Sequence, residues 1–314
     1  MHAECGVTSA LSALLSPVAD SGVIGDAAMR TSFDYASAFD RNIGWVTKAE
    51  QQVLRGKRVA IAGLGGVGGF HLLTLARLGV TRFHISDLDS FELPNFNRQA
   101  GALMSTLGHP KADVLAAMAR DINPECELEL YQSGVHDGNL KQFFKNVDLY
   151  VDGLDAFAFD AREAVFAYCA ANRIPATTVA PLGFSAALLN FLPGRISFEE
   201  YFRLAGCSPL EKAIRFLVGL APALVHRHYL VDATRVNLKE RMGPSTVVAC
   251  QLCAGVAAAE AVKILVGRGK VWSAPHGFQF DGYRNRLVHT WRPGGNRNPL
   301  NRLAITIAKR QLGI

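Results

Sequence analysis

Two rhythms of apolar and polar positions run along this chain. Arg58–Ala62 (RVAIA) is a short apolar run closed by glycines, the pattern of a strand buried on both faces. From Gly66 to Leu78 apolar residues return at Phe70, Leu73, Leu75 and Leu78, and Gly79 follows; this predicts a helix and its stop. Val80–Ser86 then reads as a second strand ending at Asp87. The alternation continues with a helix at Lys111–Ile122 and strands at Glu127–Tyr131 and Val147–Val151, the latter ending at Asp152. A helix at Ala158–Asn172 and a strand at Ile174–Val179 complete it. Strands alternating with helices predict an α/β fold, a Rossmann-like and mostly parallel sheet with helices on both faces.

Past Ser185 the rhythm changes. Ser185–Leu192 reads as a strand, 198–239 as a helical insert broken at Pro209 and Pro222, and Thr246–Val266 as a long small-residue helix. Phe278–Trp291 has a Gly-Tyr-Arg-Asn centre and predicts a hairpin of antiparallel strands. Residues 1–44 have weak periodicity and read as an N-terminal arm, and 292–314 as a basic tail with five Arg or Lys and no acid. A short helix within that tail is one reading, with RNA, membrane phosphates or a partner protein as contacts, and a solvated or dimer-docking tail is an equal alternative. No repeat or low-complexity linker divides 45–291, so one domain is expected there.

Composition adds modest limits. With 49% apolar and 19% charged residues in 314, the chain can fill a globular core. A net charge of +6 suits anionic substrates or nucleic acid and equally suits an ordinary basic protein. No run of about 18 uncharged apolar residues occurs, so a membrane span is not expected. The Ala- and Ser-rich start lacks a leading basic stretch, which disfavours a signal peptide. Six scattered cysteines fit a reducing cytoplasm better than a disulfide scaffold.

The candidate chemistry begins at Gly63-Leu64-Gly65-Gly66-Val67-Gly68. A strand running through Gly-x-Gly-x-x-Gly into a helix is a nucleotide-binding βαβ turn. Gly63 permits the turn, Gly65 and its neighbour Gly66 let phosphate approach the backbone, and Gly68 lets helix and strand close up. The helix start offers free N–H groups. Asp87, 24 positions after Gly63, is placed to accept ribose hydroxyls. These features alone fit NAD, FAD, S-adenosylmethionine or ATP, and an NAD(P)-dependent oxidoreductase is one candidate.

The residues after Asp87 narrow the choice. The run from Asp87 to Gln99 (DLDSFELPNFNRQ) resembles the D-x-D-x-V-x-x-x-N-x-x-R-Q run of the ThiF/MoeB/HesA superfamily, relatives of ubiquitin-activating enzyme. Gly108–Lys111, Ile122–Pro124, Asp152–Asp155 with Arg162, Phe39–Ile43 and Gly255–Leu265 resemble further motifs of that family in their order. The resemblance covers 39–192 and 245–291. It implies ATP-dependent adenylation of a carboxylate, giving acyl-AMP and pyrophosphate before transfer to a nucleophile. The attack joins two negative groups, so fixed positive charge and alignment are needed. The resemblance gives Arg98 and Lys111 the phosphates, Asn95 a phosphate oxygen, Gln99 the orientation of Arg98 and Asp155 a Mg²⁺ ion. It also implies a homodimer, because the family's arm arginine, Arg41 here, enters the partner's site. The acceptor is then the C-terminus of a ubiquitin-like or sulfur-carrier protein, or of a peptide; a tRNA nucleoside carboxyl, as in threonylcarbamoyladenosine dehydratases, is the alternative.

Cysteines offer less. Cys250 and Cys253 form the chain's one Cys-x-x-Cys pair, too few for tetrahedral zinc, and zinc is not expected. Cys207, beside Gly206 and ahead of a helix start, is a weaker candidate for acyl transfer, because such a position lowers a thiol's pKa.

Overall fold

The computed structural model describes residues 32–312 apart from 239 and 241. Most of the 1–44 arm, with Cys5, lies outside the described residues, as do Lys239 at the end of the insert, Arg241, and 313–314. Eight strands form one sheet in the order β3-β2-β1-β4-β5-β6-β7-β8. In chain order they are β1 (Arg58–Ala62), β2 (Arg82–Ser86), β3 (Glu127–Tyr131), β4 (Leu149–Asp152), β5 (Ala176–Leu182), β6 (Ser185–Phe191), β7 (His276–Asp281) and β8 (Arg286–Trp291). β1 to β5 are parallel, and β6, β7 and β8 continue the sheet antiparallel.

The ten α-helices among the described residues are α1 (Tyr35–Ala38), α2 (Lys48–Gly56), α3 (Gly68–Arg77), α4 (Lys111–Ile122), α5 (Leu140–Phe143), α6 (Phe159–Ala171), α7 (Phe198–Phe202), α8 (Pro209–Leu220), α9 (Val247–Val266) and α10 (Pro299–Gln311). Successive residues of a strand face opposite sides, and β1 shows the result. Val59 and Ile61 enter one core with Leu72 and Leu75 of α3, Leu115 of α4 and Ala257 of α9. Ala60 and Ala62 enter the other, with Phe166 of α6, Phe198 of α7 and Phe216 of α8. β6 divides alike, with Leu188 on the first side and Leu189 and Phe191 on the second. Both faces are therefore covered, which is why parallel strands read as continuous apolar runs.

Helix ends follow local chemistry. Thr47 accepts the Glu50 N–H while Glu50 accepts the Thr47 N–H, a reciprocal cap for α2. Pro209 occupies the first turn of α8 behind the Ser208 cap; it starts that helix, where it needs no N–H partner. Among the described residues, α9 alone is long and apolar enough to cross a membrane. Its Cys250, Cys253, Ala254, Ala257, Ala258 and Ala261 are buried against the sheet and α3, and that packing accounts for its composition.

At both ends the fold takes in residues that the sequence pattern leaves outside the domain. The folded unit begins at Tyr35, within the stretch read as arm, because the buried Tyr35 hydroxyl donates to the Gly79 carbonyl at 2.6 Å. The basic tail also docks. α10 buries Asn301 and Ile305, and Ile305 joins Ile214 and Val218 of α8 in a small core of its own.

Candidate nucleotide site

The sheet order reverses between β1 and β4, and a crevice outside the strand ends at such a point is where α/β sheets take ligands. β1 delivers Gly63 there with φ of 82°, a left-handed conformation open to glycine. Its N–H donates to the Ser86 carbonyl at 2.7 Å. A Cβ on Gly68 would overlap the Gly63 carbonyl oxygen, and so would one on Gly153, just past β4. β1, β4 and α3 thus meet backbone to backbone. Gly153 escapes a motif search because its requirement comes from a neighbouring strand and helix.

Gly65 and Gly66 are bare for a different reason. A Cβ on Gly65 would lie 3.6 Å from Gln99 Nε2, and one on Gly66 would lie 3.8 Å from Arg98 Cγ and 3.1 Å from Cys250 Sγ. Arg98 and Gln99, remote in sequence, are therefore folded over the glycine loop. Arg98 Nη1 donates to the Pro94 carbonyl and to Asn97 Oδ1 at 2.9 and 3.0 Å. Gln99 is buried, and its Oε1 has no hydrogen-bond partner. Such an atom costs free energy unless a ligand or solvent satisfies it.

The chain between β2 and α4 is strapped to this loop by carboxylates. Asp87 accepts the Leu64 N–H at 2.6 Å and the Asp89 N–H at 2.8 Å. Burial pushes its carboxyl pKa up, against those two bonds and the nearby Lys111 charge. Lys111 is buried while its partner Asp89 is exposed, with Nζ to Oδ2 3.0 Å. Asn95 accepts the Glu92 N–H on Oδ1 at 3.0 Å, and its carbonyl accepts the Gln99 N–H at 2.9 Å. Its observed contacts shape the turn that presents Arg98 and Gln99.

On the β4 side Asp155 is exposed and accepts the Phe157 N–H at 2.9 Å. Beneath it lies a group the sequence pattern underweighted. Asp152 and Arg162 form a buried ion pair at 2.9 Å, 3% and 2% exposed. Asp152 also accepts from Thr178 at 2.9 Å and from the Leu154 N–H at 3.2 Å. Arg162 Nη2 donates to the carbonyls of Leu154 and Asp155, at 2.7 and 2.9 Å, so its guanidinium holds the loop that carries Asp155. His71 of α3, buried with neither ring nitrogen hydrogen-bonded, has its pKa pushed down to about 4 by burial, against the pull of Asp152.

Arg41 is not gathered with these residues. It is exposed on a turn after α1. Neighbouring Asn42 donates to Gln51, which in turn bonds the Leu78 carbonyl beyond the far end of α3. α3 spans about 15 Å, so its length separates that anchor from the glycine loop. Cys207 differs from expectation. Its pKa is raised by burial despite Arg215, and it contacts the Arg203 carbonyl at 3.7 Å; it has no lowered pKa to activate it. Cys250 and Cys253 are buried in α9, with burial raising both thiols' pKa.

The groups present fit a nucleotide: bare Gly65 and Gly66, a helix N-terminus and Arg98 offer room and donors for phosphate, and the unpartnered Gln99 Oε1 offers an acceptor for a hydroxyl or amino group. Among the described residues, no three His, Cys, Asp or Glu side chains gather into a metal-holding group. A Mg²⁺ ion carried by nucleotide phosphates asks for one or two carboxylates, and exposed Asp155 satisfies that smaller requirement.

The chain is similar to known proteins in sequence and in fold. The tRNA threonylcarbamoyladenosine dehydratase of Bacillus subtilis (strain 168) is 38% identical over 122 residues, covering 38% of this chain and 48% of that protein. The chain thus spans about half the length of that curated relative. The SAMP-activating enzyme E1 of Haloferax volcanii is 27% identical over 190 residues, covering 60% of this chain and 69% of that protein. In fold, the chain is similar to PaaA (TM-score 0.62, 18% identity, covering 90% of this chain and 79% of that one). It is likewise similar to E. coli MccB solved with ATP (TM-score 0.59, 18% identity, covering 77% and 65%). The ThiF family matches residues 39–303, taking in the glycine loop, the strap and the insert, and the chain belongs to that family.

Proposed function

We propose that this chain binds ATP and adenylates a carboxylate. A carboxylate oxygen bonds to the α-phosphorus, the bond to the departing pyrophosphate breaks, and acyl-AMP remains for a nucleophile to take over. The observation that carries this reading is Arg98 and Gln99 folded over Gly65 and Gly66. Phosphates lying on the loop would meet a guanidinium there, and hydride transfer to or from NAD(P) makes no use of one. Lys111, held by Asp89, adds positive charge to the strap. Asp155, steadied from below by Arg162, is the residue for Mg²⁺, which when bound supplies charge neutralisation between phosphate oxygens. Asp87, beside the loop, is the candidate for the ribose.

The acceptor is proposed as the C-terminus of a ubiquitin-like or sulfur-carrier protein, or of a peptide. The 38% identity to a dehydratase named for a tRNA nucleoside favours as second reading a nucleoside carboxyl in tRNA. Arg41 leads to a homodimer, since it stands away from its own loop and a second copy would supply the matching residue. Cytoplasmic residence belongs to the same proposal; the described cysteines are all unpaired.

ATP–pyrophosphate exchange with candidate carboxylates tests the main reading. Arg98→Ala should lower exchange about 100-fold while ATP affinity falls far less. Equal loss of both removes the assigned role. Asp155→Ala should raise the Mg²⁺ concentration required for half-maximal exchange. A protein whose melting temperature rises with NADH and is indifferent to Mg-ATP would overturn the whole reading.

A further inference from the structure

The chain's excess positive charge is concentrated in one segment. Residues 282–314 hold seven Arg or Lys and no Asp or Glu, so on a total of +6 the rest of the chain carries net −1. Part of this charge lines a cleft of about 500 Å³ where α10 lies against α8. Arg203 and Arg215 come from the α7–α8 side, and Arg297, Arg302 and Lys309 from the other. The single carboxylate in the cleft, Glu211, is occupied by Arg215 and Lys309 at 2.9 and 3.0 Å. Arg203, Arg297 and Arg302 have no carboxylate within ion-pair distance among the described residues. Five cations line the trough with Glu211, and Glu200 stands near enough to Arg297 to interact with its charge, which still leaves the trough positive. A trough with cations on both walls suits a strand of phosphates passing along it better than a flat bilayer. Four of the five are arginines, whose planar fork matches phosphate.

The same segment also offers flat faces. Trp291 ends β8 at 60% exposure, and Tyr283 at the hairpin tip is 63% exposed. Arg292, next to Trp291, donates to Asn301 of α10 at 3.1 Å, which ties that end of the strand to the helix lining the cleft. Trp291, at the end of β8 tied to α10, is the ring nearer the cleft, Tyr283 standing at the opposite end of the hairpin. Arginines with an exposed aromatic ring nearby are a combination that holds unpaired bases and their backbone.

We propose that the α8–α10 cleft is an RNA-binding site that grips the phosphate backbone. It is distinct from the nucleotide loop, yet α8 serves both. Phe216 of α8 lies under the Arg162 guanidinium, 4.8 Å from ring centroid to Cζ, and Arg162 holds the Asp155 loop. RNA in the cleft is then one helix away from the loop proposed to adenylate. The cleft's own affinity for RNA does not depend on that reaction.

The test is binding of a fluorescein-labelled tRNA transcript to the full chain at several salt concentrations, with ATP–pyrophosphate exchange run in parallel. The parent should bind with an affinity that falls steeply with salt. Arg297→Glu with Arg302→Glu should weaken binding at least ten-fold at ~150 mM salt and flatten the salt slope by about 1.5 to 2. Exchange should stay unchanged, and circular dichroism melting should verify the fold. Lys141→Glu with Arg195→Glu, an equal charge change at exposed sites elsewhere, should change binding less than about two-fold. Equal loss in both pairs, or no tRNA binding by the parent at that salt, overturns the proposal. Tighter binding of poly-glutamate, or of vesicles of roughly equal phosphatidylglycerol and phosphatidylcholine, overturns it in favour of an acidic protein or a membrane. A parent that binds tRNA but shows no exchange keeps the cleft and removes the adenylation reading.

Discussion

The two regions we propose to meet phosphate are built from opposite materials. At the strand ends the work falls to backbone: Gly63, Gly68 and Gly153 meet without side chains, and Asp87 fastens β2 to the loop through main-chain amides. In the α8–α10 cleft it falls to side chains, Arg203, Arg297 and Arg302 among them. A backbone site is rigid and fails as a unit. A side-chain site is adjustable and fails by degrees.

That contrast can be broken most directly at Gly68. Gly68→Ala puts a Cβ on the Gly63 carbonyl and should cost more than about 4 kcal/mol, read as loss of folded protein in thermal melting; a variant melting within a few degrees of the parent would refute the close approach. Next is Arg162→Met, which leaves Asp152 buried and uncompensated. Urea unfolding should show a loss of about 3–5 kcal/mol, and less than about 1 kcal/mol would show that the pair is dispensable.

His71 gives a pH-dependent test of the same region. Its folded pKa, about 4, lies below the ordinary 6.5, so between those values the unfolded chain binds the extra proton. Stability from this group is therefore complete above pH 6.5 and is lost as pH falls towards 4, by about 3 kcal/mol. Urea midpoints of His71→Leu should fall less over that range than those of the parent; parallel curves would show that His71 is not buried neutral. The smallest effect on stability belongs to Gly65→Ala. Its Cβ has ordinary room at 3.6 Å from Gln99, so the fold should lose less than about 1 kcal/mol. ATP affinity by calorimetry should still fall at least ten-fold, about 1.4 kcal/mol. A large loss of stability with unchanged affinity would make Gly65 part of the scaffold.

Legibility follows the same division. α4 (Lys111–Ile122) and β3 (Glu127–Tyr131) are found at the residues their periodicity predicts, because local pattern and burial agree there. The folding of Arg98 and Gln99 over the loop could be anticipated through a motif, since their register with Asp87 is carried by sequence. Arg162 is marked by its motif with Asp152–Asp155, but the carbonyls it holds are not; Gly153's close approach and the unpaired His71 could not be anticipated. Each owes its significance to a neighbour brought in by the sheet, and no spacing along the chain encodes that. α2 was legible in principle, as Thr47-Lys-Ala-Glu50 spells its cap. The pKa of Cys207 turned the other way because burial of the thiol outweighs the help expected from a helix start.

β6 and β7 are sheet neighbours, although everything from α7 through α9 lies between them in the chain. The excursion leaves and re-enters the sheet at adjacent strands, and its last helix, α9, is core, packed on the sheet, on α3 and beside Gly66; the part spliced into the meander is the stretch ahead of α9. Doubling its length would add only about 0.6 kcal/mol of closure entropy. The first five strands have no comparable freedom, because their order places Gly63 and Gly153 side by side. A fold arranged this way can vary the length of that stretch while Gly63 and Gly153 stay in register.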